Sequence, residues 1–374
     1  MHRLRDLRGD VPGCGHRGME VSFPVEKRLL IKGNEALARG AIKAGCRYYF
    51  GYPITPQNDI PEFLSKEFAR VEGCFIQAES EVASINMLLG AAAAGARAMT
   101  SSSSPGISLM QEGISYLAGS ELPAVIVNIS RSGPGLGGIS ASQGDYFQAT
   151  RGGGHGDYRT IVLAPNSVQE MHDLAMLAFD LADKYRNPAI LLGDAVLGQM
   201  VETMVDRPYQ PLPLPPKDWI LTGASGRSPR LVKSLYLKDG EMERQNWKLF
   251  EKYGRMKREE PRFETTPDQD SELTVVAFGS AARVGKSAVR RARAKGMKVG
   301  FFRPITLFPF PEEKLLRISQ RVKRFLVVEM NTGQMVEDVK LAVARDAEVQ
   351  FYGHPPGSPP VPEELLEEIK KAIL

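Results

Sequence analysis

The sequence predicts an α/β protein, with a doubly wound domain followed by a second, smaller α/β domain. Three observations predict it. Apolar runs of strand length alternate with helical segments from about residue 29 to residue 197, the pattern of repeated βαβ units. Residues 122–129 are nearly all apolar, as in a parallel strand covered on both faces. The alternation resumes at Leu273, after Pro208, Pro211, Pro213, Pro215 and Pro216 have marked a stiff linker.

Each element follows from its local pattern. Gly33-Asn34-Glu35 opens a helix over 36–44, with Glu35 at its positive end. Gly45 ends it and a strand spans 48–50. A helix over 59–68 carries Pro61 in its first turn, where proline is tolerated. A strand over 73–76 leads into a helix over 80–94 that ends in Gly90 and four alanines, so a neighbour can approach it closely. A strand over 96–100, four serines, Pro105-Gly106 and a helix over 107–118 form the next unit. After strand 122–129 come Arg131 and two glycine-rich loops, 133–138 and 151–157. Strand 160–163, helix 168–185 and strand 189–192 complete the first domain.

Residues 217–265 are charged and hold one helix, 241–258, whose Trp247, Phe250 and Tyr253 suggest an aromatic stripe. The insertion packs on its own chain or clasps another subunit. The second domain has strands at 273–278, 298–302 and 325–329 and helices at 282–295, 335–343 and 363–372. The chain therefore divides into a loose extension (1–27), a first domain (28–200), a linker with a charged insertion (201–270) and a second domain (271–374). Residues 1–27 hold basic residues but no apolar stretch of a secretory signal; an arm around a partner is the alternative.

Composition excludes several classes. The 374 residues, 43% hydrophobic and 25% charged, are those of an ordinary globular protein. A net charge of +4, with both signs scattered, gives no nucleic-acid footprint. No apolar run reaches membrane-spanning length, so no membrane role is expected. The three cysteines, Cys14, Cys46 and Cys74, form neither a disulfide framework nor an iron–sulfur ligand set, and a cytoplasmic setting is expected. Five histidines, with no third ligand placed beside His155 and Asp157, argue against zinc. The 133–138 loop lacks the dinucleotide fingerprint, and no P-loop motif supports ATP use.

Chemistry gathers at strand ends. Tyr52-Pro53-Ile54-Thr55-Pro56 puts a threonine between two prolines where a strand gives way to a helix, and Pro56 biases Thr55 away from helical dihedrals. Gln77-Ala78-Glu79-Ser80-Glu81 puts two carboxylates at the next such junction. Sites in open α/β sheets lie at these carboxyl ends, so a cofactor site is expected there. Glu81 adjoins Val82, Ala83, Ile85, Met87 and Leu88, surroundings suited to a carboxyl that exchanges a proton. Helix capping is the alternative for either glutamate. The serines 101–104 either bind an anion at the helix start or cap it. Arg131 is suited to clamp a substrate carboxylate; holding its loop by an ion pair is the alternative.

Together, Gly51-Tyr52-Pro53-Ile54-Thr55-Pro56, the Glu79 and Glu81 carboxylates, residues 100–106, residues 119–123 and Phe302-Arg303-Pro304-Ile305-Thr306-Leu307-Phe308-Pro309 resemble the alpha-type subunit of 2-oxoacid:ferredoxin oxidoreductases. The resemblance covers about residues 28–370. It implies a thiamine-diphosphate-binding (pyrimidine-type) doubly wound domain and a transketolase C-terminal-like α/β domain. It implies a coenzyme A-dependent oxidative decarboxylation that yields acyl-CoA, carbon dioxide and reduced ferredoxin. Glu81 would be the activating glutamate on the aminopyrimidine ring, Thr55 would lie near cofactor and substrate, and Arg131 would meet the substrate carboxylate. Ser104 is an expected cofactor contact.

The resemblance further implies a beta-type subunit with Mg2+ and the diphosphate half of the site. Iron–sulfur clusters would sit there or on a small ferredoxin-like subunit, and a gamma-type subunit is a possible addition. Tyr52-Pro53-Ile54-Thr55-Pro56-Gln57-Asn58, residues 151–159 and Leu221-Thr222-Gly223-Ala224 look most like subunits for 3-methyl-2-oxobutanoate. The 2-oxoglutarate group is the near alternative, and a scaffold without chemistry is the remaining one.

Overall fold

The computed structural model describes residues 28–266, 270–357 and 359–374; the expectation for residues 1–27 lies outside them. In chain order the first half runs β1 (Arg28–Lys32), α1 (Gly33–Lys43), β2 (Tyr48–Gly51), α2 (Asp59–Glu67), β3 (Cys74–Gln77), α3 (Glu81–Ala93), β4 (Ala98–Ser102) and α4 (Ser104–Gly119). It continues with β5 (Ala124–Ser130), α5 (Tyr146–Arg151), β6 (Ile161–Leu163), α6 (Val168–Tyr185), β7 (Pro188–Asp194), α7 (Ala195–Gln199) and β8 (Val201–Val205). The rest comprises α8 (Glu241–Glu259), β9 (Phe263–Thr265), β10 (Leu273–Ala277), α9 (Gly279–Ala294), β11 (Val299–Pro304), β12 (Thr306–Phe308), α10 (Glu312–Ser319), β13 (Arg324–Glu329), α11 (Met335–Ala342), β14 (Glu348–Gly353) and α12 (Pro362–Ile373).

A seven-stranded sheet has the order β12-β6-β7-β5-β4-β2-β3 and is parallel except at its β12–β6 edge. Every residue of β5 and β7 is buried, which accounts for their mostly apolar character. A five-stranded sheet, β14-β13-β10-β11-β9, is parallel except at β9. β1 and β8 pair antiparallel as a separate ribbon.

The sheets trade strands across the sequence boundary at residue 271. β9 precedes it yet edges the second sheet, and β12 follows it yet edges the first. Arg303 fastens the crossing. Its buried guanidinium pairs with Glu170 of α6 through two 2.7 Å bonds and with Glu264 of β9 at 3.1 Å. A charge so deeply buried is tolerable only with this matched pairing.

The insertion packs on its own chain. Leu249, Tyr253 and Met256 of α8 are buried, and Lys184 bonds Glu260 at 2.6 Å. Trp247 and Phe250 face outward, so the three aromatics do not form one stripe. The linker is pinned through Tyr209, which meets Arg97 at 2.6 Å, while Arg97 pairs with Asp180 and Asp183 at 2.7 and 2.8 Å.

Between the halves, Gln143 acts as an extra strand-like clip. Its main-chain N–H donates to Met330 O at 2.9 Å, Met330 N–H donates to its side-chain oxygen at 2.9 Å, and its amide nitrogen donates to Phe278 O at 2.8 Å. Ser280 donates to the buried Asp194 at 2.8 Å.

Candidate functional site

Four neighbouring strands, β5, β4, β2 and β3, deliver the candidate residues at their carboxyl ends. Ser80 caps α3, accepting from Ala83 N–H at 3.2 Å. That cap frees Glu81, the next residue, whose side chain turns inward while Glu79 stays exposed. Glu81 is 5% exposed. Ser102 at the end of β4 donates to its Oε1 at 3.4 Å, at the long end of a hydrogen bond. Among the described residues nothing bonds its other oxygen. Gly106 of α4 makes this placement possible, since a Cβ there would strike both Ser102 Oγ and Glu81 Oε1.

The Thr55 turn is held by its backbone. Thr55 O accepts from Arg131 Nη1 at 2.9 Å, and Pro56 O accepts from Asn34 and Gln199, each at 2.9 Å. Beneath it, Tyr49, Ser101 and Gln57 form a buried chain with bonds of 2.8 and 2.6 Å. The Thr55 side chain is exposed and its hydroxyl has no hydrogen-bond partner among the described residues.

Arg131 is 8% exposed, yet no carboxylate of the described residues pairs with it. Backbone oxygens of Thr55 and Leu136 take its Nη1 and Nη2 at 2.9 and 3.0 Å, and its buried Nε is unpartnered. The ion-pair alternative for this residue therefore has no support. A buried guanidinium left with unused donors is costly unless a ligand completes it.

The four serines divide their work. Ser101 bonds Gln57 and Ser102 bonds Glu81. Ser103 caps α4 without a side-chain bond. Helix α4 begins at Ser104, three residues earlier than the glycine at 106 suggested, with Pro105 in its first turn. Ser104 Oγ donates to Asp145 at 2.6 Å and accepts from Arg131 N–H at 2.9 Å. Residues 102–104 thus join Glu81 at one end to Arg131 at the other.

Sequence reasoning missed Asn128 and Asp145. Asn128 Oδ1 accepts from Ser104 N–H at 3.1 Å and its amide donates to Asp145 at 2.8 Å. An amide inside the otherwise apolar run of β5 was the available signal. It also missed the second domain's share. A cavity of about 400 Å³ lies between Ser104, Arg131 and Asp145 on one side and Asn331, Thr332 and Gln334 on the other. Among the described residues that line it, Arg131 is the one cation. No signal in the sequence brings these loops together. Among the described residues, no group of three or more His, Cys, Asp or Glu side chains could hold a metal ion.

Comparison with known proteins places the chain in a family. Residues 39–217 match the family described as pyruvate flavodoxin/ferredoxin oxidoreductase, thiamine diP-binding, and residues 271–365 match pyruvate:ferredoxin oxidoreductase core domain II. The ketoisovalerate oxidoreductase subunit VorB of Methanothermobacter marburgensis is 54% identical over 86% of this chain and 91% of its own. The 2-oxoglutarate synthase subunit KorA of Archaeoglobus fulgidus is 39% identical over 91% of this chain and 98% of its own. A solved 2-oxoglutarate:ferredoxin oxidoreductase from Magnetococcus marinus, with 2-oxoglutarate, coenzyme A and succinyl-CoA bound, aligns with a TM-score of 0.87 at 26% identity. That alignment covers 93% of this chain and 66% of the other. With these matches and a thiamine-diphosphate-type domain carrying Glu81, Thr55 and Arg131, the chain belongs to the 2-oxoacid:ferredoxin oxidoreductase family, as one of its subunits.

Proposed function

We propose that this chain is the alpha-type subunit of a 3-methyl-2-oxobutanoate:ferredoxin oxidoreductase and holds the aminopyrimidine end of thiamine diphosphate. One observation carries the reading: a buried carboxyl with a free oxygen, Glu81, and a buried guanidinium with a free donor, Arg131, are linked through residues 102–104. The two groups fit the two things the reaction must hold, a ring nitrogen and a substrate carboxylate. Glu81 is a hydrogen-bonding partner for the ring through its free oxygen, and Gly106 leaves the room it needs.

When bound, thiamine diphosphate supplies the nucleophilic carbon that adds to a 2-oxoacid carbonyl. Glu81 would hydrogen-bond the ring nitrogen, in a site where burial keeps water from competing. Arg131 orients the substrate through its carboxylate. The Thr55 hydroxyl, on a turn fixed by Arg131 and Pro56, is free to bond substrate or cofactor. Ser104 bonds the Arg131 backbone N–H and so acts at the substrate-clamp end of the same network.

The partners are those the family resemblance implies, and motifs absent from this sequence agree with them. There is no Gly-Asp-Gly diphosphate motif and no C-x-x-C pair. A beta-type subunit would carry Mg2+ and the diphosphate contacts, a small ferredoxin-like subunit would carry iron–sulfur clusters, and a gamma-type subunit would complete a cytoplasmic complex. Support for a covering partner comes from α3, the helix that carries Glu81, on which Val82 and Met87 are exposed apolar side chains. Coenzyme A takes the acyl group and ferredoxin the electrons. No helix among the described residues is long and apolar enough to cross a membrane.

A branched substrate is favoured over 2-oxoglutarate because the described residues of the cavity lining offer a single cation, enough for one carboxylate. The test is to purify the native complex, assay bound thiamine diphosphate, and compare viologen reduction with 3-methyl-2-oxobutanoate, 2-oxoglutarate and pyruvate. Highest kcat/KM for the branched acid is expected. A preference for 2-oxoglutarate would overturn the substrate assignment, and a lone chain that retains the cofactor tightly would overturn the shared site.

A further inference from the structure

The glycine-rich loop after β5 carries no charge: residues 132–141 read Ser-Gly-Pro-Gly-Leu-Gly-Gly-Ile-Ser-Ala. Its two large side chains point outward, with Leu136 80% and Ile139 66% exposed. Exposed apolar side chains on a flexible loop would mean little. This loop is tied at several points. Arg131 and Ala141 pair as an antiparallel bridge. Ser132 N–H donates to Ser140 O, and Gly138 N–H donates to Ser132 O, each at 2.9 Å. Gly137 sits at φ +62°, and a Cβ there would strike Ser132 O, so the loop's closure depends on glycine.

The tip is tied to the guanidinium itself. Arg131 Nη2 donates to Leu136 O at 3.0 Å. Covalent geometry then puts Leu136 Cβ within about 6 Å of the guanidinium. In 3-methyl-2-oxobutanoate the methyl groups lie about 3–4 Å beyond the carboxylate carbon, so a carboxylate held on Arg131 carries them toward the Leu136 side chain. The loop's stem, Gly133 to Gly135, also lines the cavity beside Arg131.

We infer that Leu136 selects the substrate side chain, offering apolar contact to a branched alkyl group whose carboxylate is held by Arg131. The inference rests on the proposed oxoacid reading and deepens it. The same residue that binds the carboxylate sets the position of the apolar contact, so the two ends of the substrate are gauged by one hydrogen bond. A second carboxylate in place of the alkyl group meets no cation on this loop and loses water for an apolar wall. Pyruvate carries a single methyl where the branched acid carries an isopropyl group, so it offers Leu136 little to contact.

The test uses the assembled complex with Leu136→Ala, Leu136→Met and Leu136→Lys. With Leu136→Ala, kcat/KM for 3-methyl-2-oxobutanoate should fall about tenfold or more while that for pyruvate changes less than about threefold. Leu136→Met, which keeps an apolar side chain, should retain the branched preference. Leu136→Lys should raise 2-oxoglutarate relative to the branched acid by about tenfold or more. An equal loss on all three substrates in Leu136→Ala would overturn the inference, because the loop would then serve only the clamp. Failure of Leu136→Ala to assemble, seen by size-exclusion chromatography, would overturn it by making Leu136 a subunit contact. If wild type shows no branched-acid preference, the underlying oxoacid reading fails, whatever the variants do.

Discussion

Glu81 and Glu329 are both buried glutamates at strand-to-helix junctions, one in each sheet's neighbourhood. They are treated in opposite ways. Glu329 closes β13 and accepts from Met335 N–H at 2.8 Å, Val336 N–H at 2.9 Å and Asn331 Nδ2 at 2.9 Å. Its oxygens are saturated by the start of α11, and burial still pushes its carboxyl above the usual range. Glu81 receives one long bond from Ser102. A saturated carboxylate ties the chain together. One with an unused oxygen at a strand's carboxyl end has capacity left for something outside the chain.

The comparison breaks most clearly at Glu81. Glu81→Gln should leave unfolding midpoints nearly unchanged and lower oxoacid-dependent viologen reduction by about 10²- to 10⁴-fold in the assembled complex. Turnover near wild type would remove Glu81 from the chemistry. Glu329→Ala should do the reverse. It strands three buried donors and should cost about 3 kcal/mol or more in urea unfolding, with activity per folded complex retained. A stable Glu329→Ala protein would show that saturation contributes little here.

Lys252 sharpens the contrast as a buried charge in between. It lies 3.5 Å from Glu121 and donates to Arg186 O at 3.2 Å, and burial brings its ammonium down to about 8. A lysine whose folded pKa is depressed contributes stability above its unfolded pKa of 10.5, and that contribution is lost as pH falls through 8. Lys252→Met should therefore gain on wild type between those values, by at most about 3 kcal/mol, and then run parallel below pH 8. Parallel curves across the whole range would mean that Lys252 keeps its ordinary pKa.

Ser104→Ala should have the smallest effect. It removes a hydroxyl between Asp145 and the Arg131 backbone, and should raise KM for the oxoacid about threefold to tenfold through a mispositioned clamp. A change in thiamine diphosphate affinity with KM intact would instead assign Ser104 directly to the cofactor.

The strand–helix alternation and the placement of the candidate residues at strand ends were legible because each depends on short-range pattern. Thr55 stands out between two prolines and Glu81 at an apolar helix start. The three-residue strands β9 and β12 were not legible, since so few residues carry no period and their pairing is chosen by tertiary contact. Strand β14, with Glu348 and Gln350 among its apolar residues, also escaped, as did the short α10. The expected stripe on α8 failed for a geometric reason. Each step of three residues falls about 60° short of a full turn, so Tyr253 rotates into the core while Trp247 stays outside. Asp145 joined the site through a loop whose path no local pattern encodes.

The strand exchange has a consequence for how this protein can be divided. A cut near residue 270 would strip β12 from the edge of β6 and leave Glu170 without Arg303. The shortened first half would present bare backbone donors and acceptors, a template for adhesion between copies. The second half would lose β9 along its β11 edge. The two halves are laced rather than joined end to end, so neither can be shuffled, swapped or expressed alone at that seam without a replacement strand.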